Sequence, residues 1–234
     1  MKENKPLNIS TTRKVLWGLG FALLLVSLYM ALLFAPRERT MGDVQRIFYF
    51  HMPLAWNGFL AFFITFLYGI RYLIRRDLQD DQIAASSAEV GLFFITLALI
   101  TGSLWARPAW GTFWVWEPRL TTAFILWLMY VFYLFLRRSI EDRDRVRLVT
   151  SVYGIIAFVN VPLVFMSIRW WRTQHPVLIK MGKIDMAPQM VQTLMVSLVT
   201  FTILYVLLLV ERRAVERLED RVRQMKEQIR EVWQ

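Results

Sequence analysis

The chain contains no cysteine, and only two of its 234 residues are histidines. The lack of cysteine excludes a structural disulfide, thiol redox chemistry and a Cys-x-x-Cys-His motif for covalent haem attachment in this polypeptide. Charged side chains are also scarce, at 20% of the sequence, whereas hydrophobic residues make up 56%. Because soluble domains of this size are much less apolar, the composition indicates an integral membrane protein.

Six apolar stretches approach the roughly 20 residues that a helix needs to cross a bilayer. They are residues 15–35, 54–74, 90–106, 121–136, 148–168 and 190–210. The third and fourth are short unless they extend into the aromatic segment between them. The first is longer than a signal-peptide core and lacks a small-residue cleavage site, so we interpret it as an uncleaved helix. We therefore predict an all-α bundle of six transmembrane helices over residues 1–210.

The basic residues predict the orientation of these helices. With six spans, 19 of the 28 Lys and Arg residues fall on the side of the termini. Basic loops face the cytoplasm, so we predict that both termini are cytoplasmic. Contact with anionic lipid explains the net charge of +10, and no nucleic-acid partner is needed.

The tail, residues 211–234, differs from the rest of the chain because it combines charges with a heptad pattern. Its apolar positions are spaced three and four residues apart, and they are Val215, Leu218, Val222, Met225, Ile229 and Val232. This spacing predicts an amphipathic cytoplasmic helix. Such a helix could rest on the inner leaflet or dock against a partner helix, and the sequence leaves both possibilities open.

The two histidines, His51 and His175, fall at the same predicted outer face of the membrane. Imidazole is the commonest side-chain metal ligand and an axial ligand of haem iron. Two imidazoles are enough for one haem with two histidine ligands. A chain of haems that carries electrons across the bilayer would need four, which disfavours an electron-transfer subunit.

Between the histidines lies a predicted outer loop, residues 105–122, that contains four tryptophans. Because Pro108 and Pro118 disfavour helix in the residues before them, we expect this loop to lie along the surface as short amphipathic pieces. Tryptophans gather at membrane interfaces in general. However, seven of the ten tryptophans fall on the outer side, and this asymmetry favours a platform for a flat ligand over a simple aromatic belt.

Charged residues flank these tryptophans. Arg107 and Arg119 flank the tryptophans of the second outer loop, and Arg169 and Arg172 flank Trp170 and Trp171 in the third. Each arginine is therefore a candidate partner for a haem propionate. Contact with lipid headgroups is the alternative role for each of them. Glu117 is the only acid in the second outer loop, and we expect it to pair with Arg119 or with an indole N–H.

Three motifs resemble one known family. WGTFWVWEPRLT at 110–121 resembles the tryptophan-rich haem-handling membrane proteins of cytochrome c biogenesis. RIFYFHMPLAW at 46–56 and NVPLVFMSIRWWRTQHP at 160–176 are similar to the branch called cytochrome c maturation protein C, or haem exporter protein C. The chain departs from the family pattern at Glu117, where aspartate is usual, at Pro118, where alanine is common, and more mildly at Phe113.

The resemblance implies a site as well as a fold. His51 and His175 would be the axial ligands of one non-covalently bound haem b, which is carried as cargo. The haem platform would include aromatic, acidic and basic side chains, namely Trp110, Trp114, Trp116, Glu117, Arg119, Trp170 and Trp171. The site would lie on the periplasmic face of a bacterial inner membrane. Implied partners are a haem chaperone, the ABC transporter subunits of the same system and a small membrane subunit.

The function expected from this resemblance is delivery of haem to the chaperone, which is not an enzymatic reaction. One alternative is a haem lyase that attaches haem directly to apocytochrome c, but lyase branches of the family carry additional helices and histidines. The other is a transporter of a different substrate, which should contain ionisable residues or broken helices at mid-membrane. Only Asn160 and Pro162, where we expect a kink in helix five, fit that description.

Overall fold

A computed structural model describes residues 11–171, 175, 179–180, 183–184 and 186–232. Its seven α-helices are α1 (Thr11–Tyr29), α2 (Phe48–Arg75), α3 (Leu78–Trp110), α4 (Pro118–Ser139), α5 (Arg143–Phe158), α6 (Asn160–Trp170) and α7 (Pro188–Val232). A wider helical turn, Met30–Phe34, extends α1, and a tighter turn, Asp43–Ile47, leads into α2. Two-residue antiparallel strands, β1 (Ile179–Lys180) and β2 (Lys183–Ile184), lie between α6 and α7.

Within the described residues, six helical segments are long and apolar enough to cross a membrane. They are Thr11–Phe34, Asp43–Arg75, Leu78–Trp110, Pro118–Ser139, Arg143–Trp170 and Pro188–Glu219. The prediction of an all-α bundle with six spans is therefore confirmed.

Helix α2 lies at the centre of the bundle and has its most extensive contact with α3. Gly91 of α3 allows this approach, because a Cβ atom there would lie 2.8 Å from the Cβ atom of Ala61. On another side of α2, the rings of Phe62 and Tyr130 stack with their centroids 3.4 Å apart and join α2 to α4. These contacts fix the relative positions of the helices that carry the predicted site residues.

The fifth span is broken where the sequence predicted a kink. Helix α5 ends at Phe158 and α6 begins at Asn160. Pro162 has no N–H to donate to the carbonyl of Phe158, four residues earlier, and this accounts for the break. The Asn160 Nδ2 donates to the Thr122 carbonyl at 2.9 Å, so the break is bonded to α4.

The loop between α3 and α4 is shorter than the predicted loop of residues 105–122. Helix α3 continues through Pro108 to Trp110, and α4 begins at Pro118, so only residues 111–117 lie outside helices. Pro108 lies in the last turn, where its missing N–H removes one bond, and the helix keeps the remaining backbone groups paired. Gly111 ends α3 with a φ of 79°, a conformation that glycine adopts without steric cost.

Ion pairs with buried carboxylates join the helices at the end of the bundle where α1 begins, and we call this end the terminal end. The Asp81 carboxylate accepts two hydrogen bonds from the Arg137 guanidinium, at 2.7 and 2.8 Å, which joins α3 to α4. Asp80 pairs with Arg71 of α2 at 3.2 Å. The tail helix is continuous with the sixth span, because α7 runs unbroken from Pro188 to Val232.

Candidate functional site

The opposite end of the bundle contains both histidines, and we call it the histidine end. His51 lies in the first turn of α2, and His175 lies between α6 and α7. The Trp105 indole of α3 has its ring centroid 6.4 Å from each of the two imidazoles. The two histidine rings are therefore no farther apart than twice that distance, although 124 positions separate them in the sequence.

A hydrogen bond sets the tautomer of His51. Its Nδ1 lies 3.0 Å from the Ala98 carbonyl and 3.3 Å from the Thr101 hydroxyl. Because a carbonyl can only accept, Nδ1 carries the proton in the neutral ring, and Nε2 carries the lone pair. This arrangement orients an imidazole to serve as a ligand through Nε2.

Gly102 fixes the position of the same ring from α3. A Cβ atom at this position would lie 2.9 Å from His51 Cε1, closer than real Cβ contacts. Only glycine therefore lets the imidazole approach α3 this closely. The sequence carries no signal for Gly102, because its contact with His51 exists only when α2 and α3 are packed together.

A cavity of about 80 Å³ lies between the two histidines. Five of the predicted site residues line it, namely His51, His175, Trp110, Trp114 and Arg119. Trp105 also lines the cavity and was not among the predicted site residues, although it belongs to the tryptophan-rich segment. The sequence does not show which way the Trp105 side chain points, because the predicted surface loop includes Trp105. In the structure Trp105 belongs to α3, and its side chain faces the cavity.

Two indole N–H groups at this cavity have no acceptor within the part of the chain that the structure describes. They are the Nε1 atoms of Trp105 and Trp114, and both atoms are buried. A buried donor without a partner costs about 1–3 kcal/mol of desolvation. A ligand that carries acceptor oxygens would remove this cost.

Arg119 brings a guanidinium to the cavity from the first turn of α4. Its Nη1 donates to the Val164 carbonyl of α6 at 2.6 Å, and the guanidinium carbon lies 5.7 Å from the centre of the Phe165 ring. The bond to Val164 uses one of the five N–H donors that a guanidinium carries. Glu117 is the N-cap residue of α4, and its negative charge attracts the positive charge of Arg119.

The remaining predicted platform residues lie outside the cavity wall. Trp170 and Trp171 contact each other edge to face at 5.8 Å, and they are 58% and 51% exposed. Trp116 is 71% exposed, with its ring 5.5 Å from that of Trp114. The Arg107 guanidinium donates a hydrogen bond to the Gly111 carbonyl and so caps the C-terminal end of α3. Arg172 lies outside the described residues.

A second, larger groove adjoins the cavity between α3 and α4. Its volume is about 600 Å³, and it shares Leu99, Ser103 and Trp114 with the cavity. Its other walls come from both helices and from the loop between them, and they are Thr96, Ile100, Leu104, Trp116, Phe124 and Trp127. The Trp127 Nε1 donates to the Thr96 hydroxyl at 2.9 Å and thereby ties α4 to α3 at this groove.

No group of three or more His, Cys, Asp or Glu side chains that could hold a metal ion occurs among the described residues. The site is instead a pair of imidazoles set among indoles, with one arginine. These features define a class, namely a six-span membrane protein with a two-histidine aromatic site at one end of its bundle.

The family model described as Heme exporter protein C matches residues 5–228, and the chain belongs to this family. The Heme exporter protein C of Bradyrhizobium diazoefficiens is 33% identical over 222 residues, which cover 93% of this chain and 84% of the relative. The protein of the same name from Haemophilus influenzae is 30% identical and covers 86% and 83%. A putative cytochrome c biosynthesis ccmC-like mitochondrial protein of Marchantia polymorpha is 30% identical over 69% of this chain and 68% of its own.

Proposed function

We propose that this protein binds one haem b non-covalently, with His51 and His175 as its axial ligands, and delivers it for cytochrome c maturation. The observation that carries the proposal is that one cavity is lined by both histidines, with the Trp105 ring at 6.4 Å from each. Names of the relatives that refer to haem export and cytochrome c biosynthesis support it. As a member of a transport family, the protein acts by transfer and not as an enzyme.

The residues present match the chemical requirements of haem. Haem iron accepts imidazole nitrogen at its two axial positions. The apolar faces of the macrocycle suit the indoles of Trp110 and Trp114, and a propionate suits the Arg119 guanidinium. The buried N–H groups of Trp105 and Trp114 are further donors for carboxylate oxygens.

The cavity is too small for haem in its present form. Its volume of about 80 Å³ is well below the roughly 300–1,000 Å³ of pockets that enclose small molecules. Binding therefore requires the side chains around the cavity to separate. The loop of residues 111–117 is the part of the wall without helical hydrogen bonds, and we expect the displacement there.

We place the histidine end on the outer face of a bacterial inner membrane. This orientation follows from the excess of Lys and Arg on the side of the termini. At that face a haem chaperone would receive the haem. The ABC transporter subunits and a small membrane subunit of the same system would be the other protein partners, with the tail of α7 exposed to the cytoplasm.

Absorption spectra of the purified protein test the ligands. We expect that His51→Ala or His175→Ala shifts the Soret and α bands and lowers the amount of bound haem, because each variant opens one axial position. Added imidazole should restore the spectrum. Arg39→Ala, at an exposed residue before α2, is the control and should leave the spectrum unchanged. Wild-type spectra from both histidine variants would show that the two side chains are not the ligands.

A further inference from the structure

The groove between α3 and α4 opens beside the site and not within it. Its residues Ile100 and Leu104 are 51% and 53% exposed, and neither lines the histidine cavity. Trp127, at its deep end, lies nine residues into α4, or about 14 Å along the helix axis at 1.5 Å per residue. The groove therefore extends from the interface into the hydrocarbon of the leaflet at the histidine end.

Much of the lining of the groove is aromatic. Phe124 and Trp127 stack at 5.8 Å with an interplanar angle of 15°, and Phe124 contacts both Trp114 and Trp116 edge to face at 6.0 Å. Flat rings arranged in this way offer wide apolar faces to a flat ligand. The volume of about 600 Å³ lies within the range of small-molecule sites, unlike that of the cavity.

Trp114 separates the groove from the cavity. Its indole lines both spaces, and its buried Nε1 has no acceptor among the described residues. Leu99 and Ser103 form the rest of the shared wall. Rotation of one side chain, Trp114, would therefore join a large space open to lipid with the small space between the histidines.

We propose that this groove is an entry subsite through which a flat, apolar macrocycle with carboxylate groups passes from the bilayer to the histidines, with Trp114 as the movable partition. The proposal rests on the function proposed above and identifies the ligand's source as the leaflet at the histidine end. The wall that the groove shares with the cavity supports this occupant over an acyl chain or a partner's helix, which would have no reason to reach the histidines.

The test measures how fast the protein takes up haem that is already dissolved in lipid. The protein is reconstituted into vesicles of phosphatidylethanolamine and phosphatidylglycerol that carry haem, and growth of the histidine-ligated Soret band is followed. Ile100→Trp and Leu104→Trp fill the groove at two separate positions. Ile125→Trp and Leu128→Trp are matched controls, because these residues of α4 are 44% and 45% exposed and do not line the groove.

We expect both groove variants to slow the initial uptake several-fold, with the same final haem content and band positions as the wild type. The controls should keep the wild-type rate. Wild-type rates in the groove variants, or equal slowing in the controls, would overturn the entry subsite. Loss of a co-purifying membrane subunit at an unchanged uptake rate would also overturn it and would identify a docking face.

The two proposals fail in different ways. If wild-type protein acquires no histidine-ligated haem from the vesicles, the proposed function fails and the entry subsite fails with it. If the wild type acquires haem, His51→Ala does not, and Ile100→Trp acquires it at the wild-type rate, only the entry subsite is wrong.

Discussion

The Asp81–Arg137 pair at the terminal end and the two buried indoles at the histidine end satisfy their polar groups in opposite ways. At the terminal end, Asp81 is 4% exposed and receives two hydrogen bonds from Arg137. At the histidine end, the indole N–H groups of Trp105 and Trp114 are buried without an acceptor among the described residues. Both oxygens of the Asp81 carboxylate accept hydrogen bonds from within the chain, whereas the two indole N–H groups would need acceptors on a ligand.

We infer from this difference that the Asp81–Arg137 pair contributes to stability, whereas the two indole N–H groups contribute to ligand binding. A buried ion pair with full hydrogen bonding fixes the helices that contribute its members, and loss of one partner is costly. Buried donors without partners reduce stability, so their presence calls for an explanation such as a ligand. The Asp81–Arg137 pair thus holds α3 and α4 together, while the two indole N–H groups are available to the proposed ligand.

The largest expected effect comes from breaking the terminal end. Asp81→Ala would leave the Arg137 guanidinium buried without its carboxylate, and we expect a loss of about 3–5 kcal/mol in the free energy of unfolding. Denaturant titration of the protein in detergent micelles measures this loss. The control is Asp144→Ala, since the Asp144 side chain is 93% exposed and its pair with Arg147 contributes less than about 1 kcal/mol. Equal losses in the two variants would contradict the comparison.

The next effect concerns charge at the histidine end. We expect Arg119→Gln to weaken haem retention by about 1.5–3 kcal/mol, because it removes a charge-assisted bond to a propionate. Arg37→Gln should have little effect, since the Arg37 side chain is 72% exposed and pairs with an exposed aspartate. Haem content after dialysis of matched samples measures retention. If Arg37→Gln loses as much haem as Arg119→Gln, general surface charge and not a propionate contact is responsible.

A smaller effect should follow from moving His51 without removing it. Gly102→Ala places a methyl group against the imidazole, and overpacking of this kind costs about 1–3 kcal/mol. We expect shifted haem bands, because the ring is displaced from its hydrogen bond to Ala98. In the control, Gly18→Ala, the new methyl group meets no heavy atom within 4 Å. An unchanged spectrum in Gly102→Ala would mean that His51 is not held by this contact.

Much of this architecture was predictable from the sequence, for reasons that particular elements make clear. Span hydrophobicity predicted the six helices, and Pro162 predicted the break between α5 and α6 because its missing N–H acts locally. The position of His51 at the start of a span likewise followed from its distance to the apolar core. These features depend on short stretches of chain.

The errors and omissions depend on packing. The sequence predicts a loop from residue 105 that Pro108 breaks into short pieces, yet α3 continues through Pro108 to Trp110, and Trp105 lines the cavity. The direction of a side chain can be predicted only if its residue is assigned to a helix. Because the predicted loop includes Trp105, the sequence does not place the Trp105 ring between the histidines. In the same way, sequence could not distinguish Trp110 and Trp114, which line the cavity, from Trp116, Trp170 and Trp171, which do not.

The smallest expected effect distinguishes two neighbouring indoles. Trp114→Phe keeps an aromatic ring at the cavity but removes the buried N–H, and a single hydrogen bond contributes about 0.5–1.5 kcal/mol. We therefore expect lower haem retention and less haem on the chaperone at matched membrane levels of the protein. Trp116→Phe should be nearly silent in the retention assay, because Trp116 is 71% exposed and does not line the cavity.

Both substitutions preserve an aromatic ring at the interface, so a simple aromatic belt predicts that neither has an effect. A haem platform that uses all the tryptophans alike predicts equal losses. Only a site in which the Trp114 N–H finds its acceptor on the ligand predicts a loss for Trp114→Phe alone. The difference between these two variants therefore tests whether the unpaired donors of the histidine end exist for the ligand.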